Sequence, residues 1–256
     1  MSSKPRRSEK IKSYGAALTC VLIAVIGAGM MAITSSPSMK GAAFLWLPAA
    51  LQLIGGVWFG RTRGLLAGGL GAYAAGIIAY GGFGLADIIM NLLAGGIANS
   101  FLPAVLFRFF RINPDFGAEP QQVQEAATSL GFLLVGVLLF ALLAIPLKMG
   151  FWGFVPSLIL LFAAPIVFRN LRVARRDFAL AFSICVLSCA ASALIGCFGV
   201  VLSGQSWPAA IIGTGIGWFL GDTVSALLGL YIMAAFTRDA RKVGLVDEFT
   251  QSDSSN

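Results

Sequence analysis

The chain has 256 residues, 58% of them hydrophobic and 11% charged, with a formal net charge of +7 and a mean hydropathy of +0.87. Soluble domains carry roughly 25% charged residues. This composition therefore excludes an ordinary soluble globule, a disordered chain, a collagen and a disulfide scaffold. Histidine is absent, which removes His-based acid–base triads and most zinc and haem ligation. The cysteines Cys20, Cys185, Cys189 and Cys197 lie in apolar runs without a CxxC pair and read as small hydrophobes.

A membrane-crossing helix needs about 20 mostly apolar residues. The chain opens on a basic tail, 1–13, holding Lys4, Arg6, Arg7, Lys10 and Lys12. The apolar run behind it exceeds the ~7–15 residues of a signal-peptide core, so it reads as a retained first helix. Eight spans follow in order, at 14–34, 42–59, 64–81, 85–107, 128–147, 149–168, 178–203 and 208–236. A linker over 111–127, with Asn113-Pro114-Asp115 and Glu119-Pro120, divides them into halves of four helices, 14–110 and 128–236. The polar C-terminal tail, 237–256, reads as disordered. The predicted fold is thus all-α, a polytopic transmembrane bundle. With both termini in the cytoplasm, sixteen of the 18 Lys and Arg residues fall on the inner side, leaving Lys40 and Lys148 outside. That split follows the positive-inside rule of an inner membrane. The positive charge then reports contact with the lipid bilayer and no nucleic acid.

Several helices carry small residues at every fourth position. These are Ala24, Ala28 and Ala32 in the first, Gly60, Gly64, Gly68, Ala72 and Gly76 around the third, and Gly213, Gly217, Gly221, Ser225 and Gly229 in the eighth. Such faces let helix backbones approach closely in lipid. They serve either packing within one bundle or docking of a partner subunit, for which Ala24, Ala28 and Ala32 on the terminal helix are the candidates.

Of the eleven acidic residues only Asp87 and Asp222 fall inside hydrophobic spans. A carboxylate there costs ~2.5–3.5 kcal/mol on insertion scales, so it faces the bundle interior and meets a partner. Asp87, Asn91, Gly95 and Asn99 repeat every four residues along the fourth span, and Gln52 lies mid-span in the second, with Trp46 nearer the outside. Together with Asp222 and Trp218 they form a candidate polar pocket, open outward, that binds a small-molecule ligand. The plainer alternative is a set of interhelical hydrogen bonds. Two acids without a metal motif, a nucleophile–base pair or a phosphate loop do not make an enzyme, and no metal or cofactor site is expected.

Two resemblances rest on short motifs. Gly55-Gly56-Val57-Trp58-Phe59-Gly60-Arg61-Thr62-Arg63-Gly64, with Ala94-Gly95-Gly96 and the Ala24/Ala28/Ala32 series, resembles the substrate-binding S components of energy-coupling-factor (ECF) transporters. This resemblance implies capture of a micronutrient from outside, with separate transmembrane and ATPase transporter subunits as partners. Such components typically have six spans. Leu45-Trp46-Leu47-Pro48-Ala49-Ala50 and Trp218-Phe219-Leu220-Gly221-Asp222 are similar to motifs of eight-span MASE-type membrane sensor domains. That likeness implies ligand sensing relayed through a separate signalling protein, since no kinase or cyclase module follows the last expected helix. The leading expectation is a substrate-binding subunit of an uptake transporter, and the alternative is a sensor.

Overall fold

The computed structural model describes residues 4–34, 46–81, 84–117, 119, 128 and 175–247, and of 4–6, 32–34, 80 and 175 the backbone alone. All secondary structure among the described residues is helical. We label six helices in chain order: α1 Lys4–Thr34, α2 Pro48–Phe59, α3 Arg61–Tyr80, α4 Leu85–Phe109, α5 Arg175–Leu202 and α6 Trp207–Lys242. Four of them, α1, α4, α5 and α6, are long and apolar enough to cross a membrane. All six fall at expected spans, but α2, with 12 residues, and α3 do not reach the length and hydropathy of a crossing helix. The expected spans at 128–147 and 149–168 lie outside the described residues, apart from Thr128.

Three boundaries differ from the sequence reading. The first helix begins at Lys4 and absorbs most of the supposed N-terminal tail. Lys12, on its inner face, is only 5% exposed. The last helix continues to Lys242, and Val243–Asp247 dock against the bundle, so the described part of the tail is ordered. The start of the linker also packs down, with Ile112 and Phe116 fully buried and Asp115 facing Arg238 and Arg241 at 3.6 Å. In each case charges flanking an apolar run pair with distant charges, which local hydropathy does not register.

Small residues set the spacing of the bundle. Helices α2 and α3 form a hairpin whose turn is the single residue Gly60, at φ +91°. A side chain would be strained in that conformation. Past the turn, Gly64 lies on the backbone of Gly55 and Gly56, and Gly56 lies on the carbonyl of Ser100 in α4. Gly68 approaches Gly95, and Gly71 meets Cys20 and Ile23 of α1. A methyl group at any of these positions would collide with its neighbour. The glycine series of α3 and most of the α6 series therefore pack inside the bundle, although Gly213 meets nothing within 4 Å among the described residues.

Most of α4, from Ile88 to Phe101, is wound as π-helix, and α6 has a π turn at Ile211–Gly215. Such i→i+5 segments gather at functional sites. In α4 the widened winding ends ahead of Pro103, which has no N–H to donate.

Large buried side chains, including Tyr231, Leu230, Phe107 and Leu53, fill the centre. Apolar side chains also cover the outside: Leu18, Val21, Val25, Leu66, Leu194 and Phe236 are all exposed. A surface of this kind suits lipid as its solvent.

One end of the bundle collects the start of α1 and the segment Val243–Asp247. Ser8 Oγ donates to Gly244 O at 3.1 Å, and Lys12 Nζ meets Asp247 Oδ1 at 3.0 Å. Asp247 also accepts from Arg108 Nη2 at 2.9 Å and donates its backbone N–H to Trp58 O at 2.8 Å. Arg63 pairs with Glu9 nearby. The α2–α3 turn and the end of α4 therefore lie at this end. The start of α5 does too, because Asn113 N–H reaches Asp177 Oδ2 at 3.5 Å.

Candidate functional site

The half of the bundle remote from that end contains a cavity lined by residues of all six helices and of the segment entering α2. Its rim carries Met31, Trp46, Met90 and Trp218. Each arrives for a local reason. Trp46 precedes Pro48, whose fixed φ starts α2 at its first turn. Met90 and Asn91 lie in the first turn of the π-helical part of α4, and Trp218 follows the π turn of α6.

The floor is polar and buried. Asp222 is 2% exposed and Asn99 4%. Asn99 Nδ2 lies 3.0 Å from Asp222 Oδ2, 3.2 Å from Gln52 Oε1 and 3.3 Å from Ser192 Oγ. Ser192 Oγ donates to Asp222 Oδ2 at 2.8 Å. Gln52 Nε2 donates to Gly68 O at 3.4 Å, which turns its Oε1 toward Asn99. Oxygens from α2, α5 and α6 thus converge on one nitrogen of α4. On the other side of that amide, Asn99 Oδ1 is buried and accepts no hydrogen bond among the described residues.

This floor holds an ionisable group without a countercharge. Among the described residues no ion pair reaches Asp222. Its partners are an amide and a hydroxyl. Elsewhere in the bundle, buried charge is matched, as where Lys12 meets both Glu9 and Asp247.

The structure brings six of the seven candidate ligand-binding residues to this one cavity: Asp222, Asn91, Asn99, Gln52, Trp46 and Trp218. Asp87 is apart. Its carboxylate accepts the Gly84 N–H at 2.9 Å and so caps the start of α4, while its carbonyl holds Asn91 Nδ2 at 3.0 Å. The sequence reading passed over Ser192 and Met90. A serine in an apolar helix usually bonds its own backbone, so nothing local marks Ser192 out. The candidate docking residues Ala24 and Ala28 are each 9% exposed, covered within the chain itself. The outward face of α1 is made by Tyr14, Leu18, Val21 and Val25 instead. The side chain of Ala32 lies outside the described residues.

No family model matches this chain, and no curated protein or solved structure is significantly similar to it.

Proposed function

We propose that this is a small-molecule-binding protein of the inner membrane, acting as the substrate-binding subunit of a micronutrient uptake transporter. It crosses the bilayer eight times with both termini in the cytoplasm. Transmembrane and ATPase subunits supply the energy. One observation carries the reading: a buried carboxylate, Asp222, lines a cavity between helices and meets only neutral donors among the described residues. An intramembrane ionisable group without a countercharge is a functional group by default. The ligand it suits is cationic or rich in hydrogen-bond donors, and Trp46 and Trp218 offer aromatic faces to it. The cavity lies in the half away from the arginine-rich end, which the positive-inside rule assigns to the cytoplasm. It therefore opens outward, as uptake requires.

A second reading, a ligand sensor working through a separate protein, draws on the short helix α2. This helix carries Gln52 in the cavity and Trp58 at the contact with Asp247, linking the site to the docked C-terminal segment.

The test is native mass spectrometry of the detergent-purified protein, followed by affinity measurements with the molecule that co-purifies. Asp222→Asn keeps shape and a hydrogen-bonding oxygen but removes the charge. For a cationic ligand it should weaken binding by roughly 30-fold or more, with folding unchanged or improved. Unchanged affinity with altered melting would mean that Asp222 serves packing alone.

A further inference from the structure

We infer that the floor of this cavity is a binding site for one alkali cation of sodium's size, held by Asp222, Ser192, Gln52 and Asn99. The inference rests on the reading of the Asp222 cavity as a binding site and names the class of its innermost occupant.

Size is the first ground. With the helices as packed, the cavity has a volume of about 30 Å³, where one water needs ~10–15 Å³. Organic ligands occupy clefts of roughly 300–1,000 Å³. An ion fits the closed bundle, while an organic molecule requires the rim at Met31, Trp46 and Trp218 to part.

Donor chemistry is the second. Gln52 Oε1, Ser192 Oγ and Asp222 Oδ2 surround Asn99 Nδ2 at 3.0–3.3 Å. An amide nitrogen carries two hydrogens, so it cannot satisfy three acceptors at once. Its own Oδ1 is meanwhile buried and accepts nothing among the described residues. Turning the Asn99 amide over reverses the situation. Oδ1 then joins the other three oxygens, an arrangement that repels itself unless a cation lies among them. Four hard oxygens from four helices, one of them charged, form such a site; Oδ1 gains a partner in the cation, while Nδ2 moves to the buried position that Oδ1 leaves. In the present arrangement Nδ2 holds the place that Oδ1 would take, 3.0–3.3 Å from the other three oxygens.

Charge and stiffness choose the ion. One carboxylate neutralises one monovalent charge. A divalent ion would leave a net charge inside the membrane and draws on more carboxylates than the floor provides. The backbone contacts of Gly56 with Ser100 and of Gly68 with Gly95 hold α2, α3 and α4 close. The oxygens have little room to spread, which favours sodium over potassium. Soft-metal chemistry does not suit an all-oxygen set.

The experiment uses the full chain in detergent at fixed pH and ionic strength, with NaCl replacing choline chloride. Tryptophan fluorescence and melting temperature are followed, because Trp46 and Trp218 line the cavity. A saturable change with sodium is expected, and a much weaker one with KCl. Ser192→Ala, which keeps the charge, should raise the half-saturating sodium concentration several-fold. Asp222→Asn should raise it by roughly 30-fold or more while remaining monodisperse. Equal responses to sodium, potassium and choline would overturn the inference, as would a sodium response that survives both substitutions. A response to pH but not to sodium would assign Asp222 to a proton and overturn it too. The outcome is independent of the uptake reading. An organic molecule retained through Asp222 without any sodium response sinks the cation site alone. A sodium response with no organic ligand sinks the uptake of an organic micronutrient and leaves the cation site standing.

Discussion

Replacing Gly56 with alanine tests whether the glycine contacts hold the site together. The new methyl would overlap the Ser100 carbonyl oxygen and lie 2.8 Å from its carbon and 3.1 Å from its Cα. Ordinary carbon contacts fall at about 3.5–4.0 Å. The obstacle is backbone rather than the end of a flexible side chain, so α2 and α4 must move apart by several tenths of an ångström or more. Overpacking of this kind costs about 1–3 kcal/mol. At about 2–4 °C per kcal/mol for a chain near this length, melting should fall by roughly 2–12 °C. The same displacement acts on the cavity, because Gln52 lies one turn from Gly56 and Asn99 adjoins Ser100. Their hydrogen bond, already 3.2 Å long, would stretch beyond useful range, and ligand affinity should fall with stability. Gly29→Ala is the matched control. It has nothing within 4 Å among the described residues and exchanges a poor helix former for a good one, so melting should rise by up to a few degrees, given ~1 kcal/mol of helix propensity. The assay is thermal unfolding in detergent, read by size exclusion. Equal melting temperatures for the two variants would refute the close-packing argument.

Two further outcomes follow from the arginine-rich end. Asp247 touches Lys12 and Arg108, both largely buried, but its own side chain is 37% exposed. Asp247→Ala should therefore cost about 1–2 kcal/mol, between the ~0–1 of a surface pair and the ~3–5 of a broken buried one. It should also hasten proteolysis of the C-terminal segment. Lys242→Ala breaks only the exposed pair with Asp239 and should leave both readouts unchanged. For topology, in a background without the native cysteines, a cysteine at exposed Gln205 should react with an impermeant reagent in intact cells. One at exposed Asp239 should stay unlabelled until the membrane is opened, and the reverse pattern would invert the assigned orientation.

The apolar helices were legible from residue order alone. Insertion into lipid is close to a local property: each helix satisfies its own backbone hydrogen bonds, and hydropathy adds along a segment. The buried face of Asn91, Gly95 and Asn99 was legible for the same reason, since four-residue spacing stays on one side of a helix. Which faces meet was not. Asp87 and Asp222 are alike in sequence, yet one caps a helix and the other lies under a cavity, because only Asp222 is enclosed by α2, α4 and α5. Small-residue series mark where backbones can approach but not which neighbour arrives, so Ala24 and Ala28 resembled a free docking face while the bundle covers them. The docked C-terminal segment depends on Asp247 meeting Lys12 and Arg108, which are 235 and 139 positions away. Contacts that distant carry no periodic signal, and only the folded bundle brings them together.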